Sequence, residues 1–290
     1  MTYFETRRLL VDSHLRKIAT AVAAPPPLDE PIRRSLTSSG KRVRALLTIA
    51  AGEALGCKAE KLLDAAAAME MIHVSSLILD DLPAMDDATL RRGQPALHRA
   101  YGEDLAILAA VALLNQAYGL VAANHAARAP RLWPAHQLIQ RVVDAVGWDG
   151  TVAGEAVDLH SEGSTLDFDT LEFIHSRKTG ALFVAAGAIG AMLANGDPSM
   201  VRRIEVYARN LGLAFQITDD VLDVTADAAQ LGKDVGKDEG KLTFVRLAGV
   251  AGAKQLAGEL VDTSLASIAS MRATADPLRE LAVIVRDRVR

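Results

Sequence analysis

The chain has 290 residues, half of them hydrophobic and only 4% aromatic, with a net charge of -4 at pH 7. This weakly acidic balance provides no basic field for nucleic acid, so a nucleic-acid partner is not expected. The single cysteine, Cys57, excludes an intramolecular disulfide and a cysteine-rich zinc site, and indicates a reducing compartment such as the cytoplasm. The many Ala and Leu residues favour closely packed helices over sheets.

Helical periodicity runs along nearly the whole chain. The start, MTYFETRRLLVDSHLRK, is charged and amphipathic and lacks the apolar core of a secretory signal, so it predicts a first helix. Prolines and glycines predict breaks at residues 25–27, 83, 93–95, 130–134, 163–164, 195–198 and 276–277. Residues 179–193 are very apolar but too short for a bilayer span of about 20 residues, which predicts a buried core helix and no stable membrane insertion. Without a repeat or linker, we expect one all-α domain over residues 1–290.

The first acidic cluster follows a helix whose polar residues share one face. His73, Ser76 and Asp80 step by three or four residues and so lie on one side of that helix. The run DDLPAMDD, residues 80–87, then gathers carboxylates where Pro83 ends the helix. Mutual repulsion and the helix dipole disfavour this arrangement unless a cation offsets it; the alternative is a solvated acidic turn.

A similar cluster occurs far along the chain, in FQITDDVLD at residues 215–223. Gln216, Asp219, Asp220 and Asp223 occupy adjoining positions of one helical face, between apolar residues that belong in a core. Two acidic faces on otherwise apolar helices predict opposing walls of one cavity. Oxygen ligands without nearby His or Cys suit Mg²⁺ bound partly through water and substrate phosphate. The sequence therefore predicts a phosphorylated ligand.

Three groups of cations could hold the phosphates of such a ligand. The first is Lys41 with Arg44, and the second is Arg91 with Arg92. The third is Lys178, next to the hydroxyl of Thr179, together with the later Lys233. Lys41 and Arg44 read as the first turn of a helix, where free N–H groups also favour an anion. Arginine forks grip phosphate oxygens two at a time. In isolation, each group could equally be a solvated basic turn or loop.

Taken together, these segments resemble the polyprenyl synthetase family in order and spacing along nearly the whole chain. Residues 80–104, DDLPAMDDATLRRGQPALHRAYGED, are similar to its first aspartate-rich motif, and FQITDDVLD is similar to the second. One DDxxD motif is a weak signal, but the ordered set with GKRVR, RRG and KTG is specific. The resemblance implies a single-domain, isoprenoid-synthase-type helical bundle around a deep central cavity, usually a homodimer.

The resemblance also implies a role for each motif, with isopentenyl diphosphate and an allylic diphosphate as substrates and Mg²⁺ as cofactor. The metal would be held by Asp80, Asp86 and Asp219, supported by Asp81, Asp220 and Asp223. The allylic substrate would contact Arg91, Lys178, Thr179, Gln216 and Lys233, and isopentenyl diphosphate would contact Lys41, Arg44, His73 and Arg92. The catalytic set would be Asp80, Asp81, Asp86, Arg91, Lys178, Asp219, Asp220 and Lys233. A lone His on a helix face is more often a core residue than a ligand contact. The position of His73, two turns before Asp80, nevertheless favours contact with the substrate.

Ser75 and Ser76, one turn before Asp80, are expected to determine product length. Family members that stop at the fifteen-carbon product commonly have an aromatic residue at the position of Ser75, and Ser is too small to block there. MDDATLRRG and EDLAILAAVALL are also similar to bacterial geranylgeranyl diphosphate synthases. These features predict geranylgeranyl diphosphate, with farnesyl diphosphate as the alternative. A deeper floor near Met71 leaves other lengths open.

The chain departs from the family pattern at two positions. Ala45 stands where proline is usual, and Glu155 stands where the family has glutamine, before Asp158. The effect of the added carboxylate stays open. Two other classes of protein share part of this pattern. A class I terpene cyclase normally replaces the second aspartate motif, which is intact here, and a non-catalytic partner subunit could lose ligands that this chain retains.

Overall fold

The computed structural model describes residues 1–161, 167–225 and 243–288, and these ranges are almost entirely helical. The α-helices in chain order are α1 Tyr3–Ala21, α2 Asp29–Thr37, α3 Val43–Ala54, α4 Leu63–Asp80, α5 Leu97–Tyr101, α6 Glu103–Arg128, α7 Ala135–Val146, α8 Thr151–His160, α9 Phe168–His175, α10 Ala181–Leu193, α11 Pro198–Thr225, α12 Phe244–Ser267 and α13 Asp276–Asp287. Short 3₁₀ turns occur at Ala59–Lys61 and Ala273–Ala275, and a π turn at Ser176–Gly180. The predicted all-α helical bundle is confirmed.

The core is centred on α4 and α10. Nearly every residue of α10 is buried, as predicted, and the helix packs between α3 and α11. Small residues permit this close approach, because a Cβ added at Gly190 would lie 2.1 Å from the carbonyl oxygen of Thr48 on α3. The Ala- and Gly-rich composition therefore lets backbones meet where larger side chains would separate them.

The first acidic cluster lies at the end of α4, as Pro83 predicted. The chain folds back there, because the N–H of Asp86 donates to the carbonyl of Asp80 at 2.9 Å and the N–H of Ala88 donates to that of Asp81 at 3.1 Å. A small antiparallel hairpin follows, formed by β1 (Leu90–Arg91) and β2 (Gln94–Pro95). The sequence analysis found no strands, since two residues are too few to show alternation.

The basic segment before α3 differs from its prediction. Arg44 lies in the first turn of α3, but Lys41 lies in the preceding loop and is exposed. Arg42 lies between them with a φ of 55° and a buried side chain. Its Nε donates to Asp12 at 2.9 Å and its Nη1 donates to Glu70 at 2.7 Å. These ion pairs anchor the segment against α1 and α4, which explains why α3 begins only at Val43.

The helices α9 and α10 are joined by the π turn that carries Lys178 and Thr179. Such turns replace the regular hydrogen-bond ladder locally and are frequent at functional sites. Gly154 of α8 lies directly against this turn, since a Cβ added at Gly154 would lie 2.3 Å from the backbone nitrogen of Lys178. The two backbones therefore touch, and α8 fixes the position of the turn.

One helix in the described ranges, α6, is long and apolar enough to cross a membrane by length and composition alone. Its most apolar window has a mean hydropathy of 1.9 and is 33% buried. One side of α6 packs on α4, while Ile107, Leu108 and Val111 are 42%, 52% and 56% exposed. Residues 179–193, the apolar stretch singled out from the sequence, lie elsewhere, in the π turn and α10. The unburied side of α6 is an apolar surface.

Candidate active site

Asp80, at the end of α4, is a partly buried carboxylate with charged neighbours of both signs. Burial raises its pKa to about 7, and the negative charges of Glu155 and Asp86 act in the same direction. Lys178 and Arg91 oppose this rise without cancelling it. A buried carboxylate at neutral pH is stabilised only by a cation or by a proton. Asp80 therefore lies where an additional cation would be stabilising.

Asp81 has a different environment from Asp80. Its side chain is buried, and Arg91 reaches back across the hairpin to donate from Nε to Oδ1 at 2.8 Å and from Nη2 to the same oxygen. Burial nevertheless raises the pKa of Asp81. The structure therefore brings two residues of the predicted catalytic set together as an ion pair.

The second acidic cluster occupies one side of α11. Burial raises the pKa of Asp220 to about 7, with Asp219 and Asp223 adding to the rise. Gln216 Nε2 donates to Asp220 Oδ1 at 3.0 Å, and the N–H of Phe244 donates to Oδ2 at 3.4 Å. Each cluster thus contains an aspartate whose pKa is raised by burial and by neighbouring negative charge.

A set of polar contacts joins the two clusters through the π turn. Lys178 Nζ contacts Glu155 Oε2 at 2.6 Å and Asp158 Oδ2 at 2.7 Å, and the charge of Asp80 also raises the pKa of Lys178. Thr179 Oγ1, on the adjacent residue, donates to Gln216 Oε1 at 3.0 Å. The route from α4 through the π turn to α11 supports the prediction that both aspartate motifs line one site.

Two of the predicted isopentenyl-site cations, Arg44 and Arg92, lie close to each other and to His73 beside α4. Burial lowers the pKa of Arg44 to about 10, which leaves it charged at neutral pH, and Arg92 and Asp219 are among its charged neighbours. Arg92 Nη1 donates to Ser38 at 3.1 Å. Burial lowers the pKa of His73 well below its usual value, and the nearby arginines lower it further. His73 is therefore neutral at pH 7, next to a concentration of positive charge suited to an anion.

Three residues of this site were missed by the sequence analysis. Glu70 is buried on α4, and its Oε1 lies 3.9 Å from Arg92 Nη2. Arg42 pairs with the same carboxylate, so Glu70 and Arg42 together hold the basic group in place. A lone Glu within AAAAMEMIH was the available signal. Arg288 Nη2 donates to Asp219 Oδ1 at 2.6 Å, and nothing in the sequence indicated this contact.

Lys233, predicted to contact the allylic substrate, lies outside the described residues.

The two predicted product-length residues have different surroundings. Ser75 is 2% exposed, and its hydroxyl donates to the carbonyl of Ala110 on α6 at 2.9 Å. Ser76 is half-buried, and its hydroxyl donates to the carbonyl of His73 within α4. A larger side chain at residue 75 would therefore have to enter the interface between α4 and α6.

The donor set fits Mg²⁺ better than a softer metal, because the clustered ligands are carboxylate oxygens. In residues 1–161, 167–225 and 243–288, no three acidic, His or Cys side chains converge on a common point that could hold a metal ion. Mg²⁺ in proteins commonly retains water and binds through one or two carboxylates plus substrate phosphate. The raised pKa values of Asp80 and Asp220 show that the negative charge of these two carboxylates is disfavoured in the protein alone, and such a cation would stabilise it.

A helical bundle in which a π turn with a lysine links two acidic clusters beside a basic group defines a class of enzyme that handles diphosphate substrates. The sequence profile described as "Polyprenyl synthetase" matches residues 25–275. The chain belongs to the polyprenyl synthetase family. Its expected single-domain extent, residues 1–290, stays a prediction beyond that match.

Named relatives are similar over most of the chain. The chloroplastic geranylgeranyl pyrophosphate synthase 11 of Arabidopsis thaliana is 43% identical over 84% of this chain and 69% of its own length. The mitochondrial geranylgeranyl pyrophosphate synthase 10 of the same plant is 43% identical over 90% of this chain and 76% of its own.

Two solved structures are similar in fold. An FPP/GFPP synthase from Zymomonas mobilis has a TM-score of 0.86 at 34% identity, covering 97% of this chain and 98% of its own. A geranyltransferase from Helicobacter pylori, complexed with magnesium and isoprenyl diphosphate, has a TM-score of 0.83 at 28% identity, covering 98% of this chain and 95% of its own.

Proposed function

We propose that this protein is a Mg²⁺-dependent trans-prenyltransferase that condenses isopentenyl diphosphate with an allylic diphosphate and makes geranylgeranyl diphosphate. The observation that carries the proposal is the route from Asp80 through Lys178 and Thr179 to Gln216 and Asp220, which joins two acidic clusters beside a basic group. Family membership and the names of the plant relatives support the same reaction.

The reaction requires the allylic C–O bond to break before a new C–C bond forms. Lys178 and Thr179 bind the allylic diphosphate at its oxygens, and their positive and hydrogen-bonding groups stabilise the charge that develops on the leaving pyrophosphate. Arg44, Arg92 and neutral His73 hold isopentenyl diphosphate so that its double bond attacks the allylic carbon. A proton is then lost to the released pyrophosphate, and the apolar walls exclude water that would quench the cation.

Asp80, Asp86 and Asp219 would hold Mg²⁺, with Asp81, Asp220 and Asp223 in support. When bound, Mg²⁺ supplies Lewis-acid stabilisation of the leaving diphosphate. The protein positions these carboxylates at a helix end and on one helix face, where the burial of Asp80 and Asp220 makes a bound cation more stabilising than it would be in bulk water. Asp81 also holds Arg91 towards the site.

The length of the product is determined by the residues that close the inner end of the hydrocarbon pocket. The side chain of Ser75 is small and turned into the interface with α6, so it leaves room for a chain longer than fifteen carbons. The plant relatives are named as geranylgeranyl pyrophosphate synthases. One of the similar structures is named an FPP/GFPP synthase, and farnesyl diphosphate is therefore the second candidate product.

We also propose that the active form is a homodimer whose interface includes α6. Ile107, Leu108 and Val111 project from one side of this helix and together form an exposed apolar stripe, which is the type of surface that oligomer interfaces cover. Sedimentation should give twice the monomer mass, and V111E should shift the protein towards monomer. A monomeric parent protein would refute this.

The proposed reaction is tested by incubating the protein with Mg²⁺, labelled isopentenyl diphosphate and, separately, dimethylallyl, geranyl or farnesyl diphosphate. The products are sized after dephosphorylation. A twenty-carbon alcohol is expected. A fifteen-carbon alcohol would retain the enzyme class and reject the product assignment. Binding of a non-hydrolysable allylic diphosphate without any turnover would instead indicate a non-catalytic partner subunit.

A further inference from the structure

Lys178 is held by two carboxylates from the same helix. Glu155 and Asp158 lie one turn apart on α8, and both contact the ammonium group, at 2.6 and 2.7 Å. Gly154 permits this arrangement because it lets the backbone of α8 touch that of the π turn. One carboxylate is sufficient to neutralise one ammonium group, so the second is in excess.

Glu155 supplies the excess negative charge beside Lys178. Its side chain is nine-tenths buried, and its second oxygen, Oε1, has no hydrogen-bond partner among the described residues. A buried carboxylate oxygen left without a donor is costly. The negative charge of Glu155 also reaches Asp80, since it is the largest charge effect on that residue. Glu155 therefore repels negative charge at the position where a diphosphate would bind.

The negative charge around Lys178 opposes the binding of an anionic ligand in this partly buried site. A diphosphate that approaches Lys178 meets an ammonium group whose charge is already more than offset by its neighbours. It must displace Glu155 or share Lys178 with it, while repulsion between carboxylate and phosphate acts over a few ångströms in poorly screened surroundings. A neutral amide of the same shape at residue 155 would accept the same hydrogen bond without this repulsion.

We propose that Glu155 is a positioning residue that weakens the hold of Lys178 on the allylic diphosphate and makes its binding depend more steeply on Mg²⁺. The inference rests on the proposed function, because it takes the allylic diphosphate as the ligand of Lys178. The excess negative charge creates a requirement for a cation before the anion can bind well. Asp158 remains as the structural partner that keeps Lys178 in place.

The test compares E155Q and E155D with the parent protein. Calorimetric titration with inorganic pyrophosphate in Mg²⁺ should show about tenfold tighter binding for E155Q, with less Mg²⁺ needed for half-maximal binding. In the prenyl-transfer assay, the KM for the allylic substrate should fall by a similar factor while kcat and the KM for isopentenyl diphosphate stay within about twofold. E155D retains the charge and should behave as the parent protein does.

E53Q is the matched control, because Glu53 is a partly buried glutamate that pairs with Arg7, away from this site. It should leave pyrophosphate binding and both KM values unchanged. Unchanged or weaker pyrophosphate binding by E155Q would overturn the inference, as would a lower melting temperature with no change in binding. Tighter pyrophosphate binding without prenyl transfer by any variant would uphold the inference and reject the proposed function.

Discussion

Replacing Gly154 with alanine should damage the site through backbone position alone. The added Cβ would lie 2.3 Å from the nitrogen and 2.8 Å from the Cα of Lys178, where normal van der Waals contact needs more than 3.4 Å. These backbone atoms cannot rotate away, so α8 must move by about 1 Å relative to the π turn. Overpacking of this kind costs about 1–3 kcal/mol of unfolding free energy.

The effect on activity should exceed the effect on stability. A displacement of about 1 Å in a substrate-positioning group costs about 100-fold in rate, and we expect that loss in kcat/KM for the allylic substrate. Thermal unfolding and steady-state kinetics would be measured in parallel. Gly258 provides the control, because a Cβ there meets nothing within 4 Å, so G258A should stabilise the helix by about 0.5–1 kcal/mol. Near-parental kinetics for G154A would refute the account of how Lys178 is positioned.

Three further predictions concern the same site. The pKa of Asp220 is raised from 3.8 to about 7, so the folded state retains a proton that the unfolded state loses. Its stabilising contribution is complete below pH 3.8 and is lost as the pH rises to about 7. Without Mg²⁺, D220N should therefore melt higher than the parent at pH 8 and no higher at pH 4, and the reverse order in melting scans would contradict this. S75F should shorten the main product at a cost of about 1–3 kcal/mol, and an unchanged product would place the floor elsewhere. E70Q should lose about 3 kcal/mol, because it leaves the buried Arg42 and the partly buried Arg92 with less counter-charge, and should raise the KM for isopentenyl diphosphate more than that for the allylic substrate.

Much of the fold followed from local signals. Helical periodicity and proline positions predicted that α4 ends within the first acidic cluster and that α10 is a buried helix, because both features depend on a few neighbouring residues. The hairpin after the first acidic cluster could not be predicted in this way, since each strand has only two residues. Its turn depends on left-handed backbone at Arg92 and Gly93, and Arg92 gives no sign of that conformation.

The site was predictable in its residue types but not in its pairings. The carboxylates and cations could be found because charge is rare in an apolar helix. Which cation meets which carboxylate depends on distant segments, so the pairing of Arg91 with Asp81 and of Arg288 with Asp219 appeared only in three dimensions. Lys41 was misplaced because the ion pairs of Arg42, which join residues 28 and 30 positions apart, delay the start of α3.

A structure with Mg²⁺ and a non-hydrolysable allylic diphosphate analogue tests the central claim most directly, namely that the two aspartate clusters and the cations form one substrate site. The account predicts diphosphate oxygens in contact with Lys178, and metal density that bridges them to Asp80 and Asp219. A diphosphate bound away from Lys178, or metal at only one cluster, would contradict it.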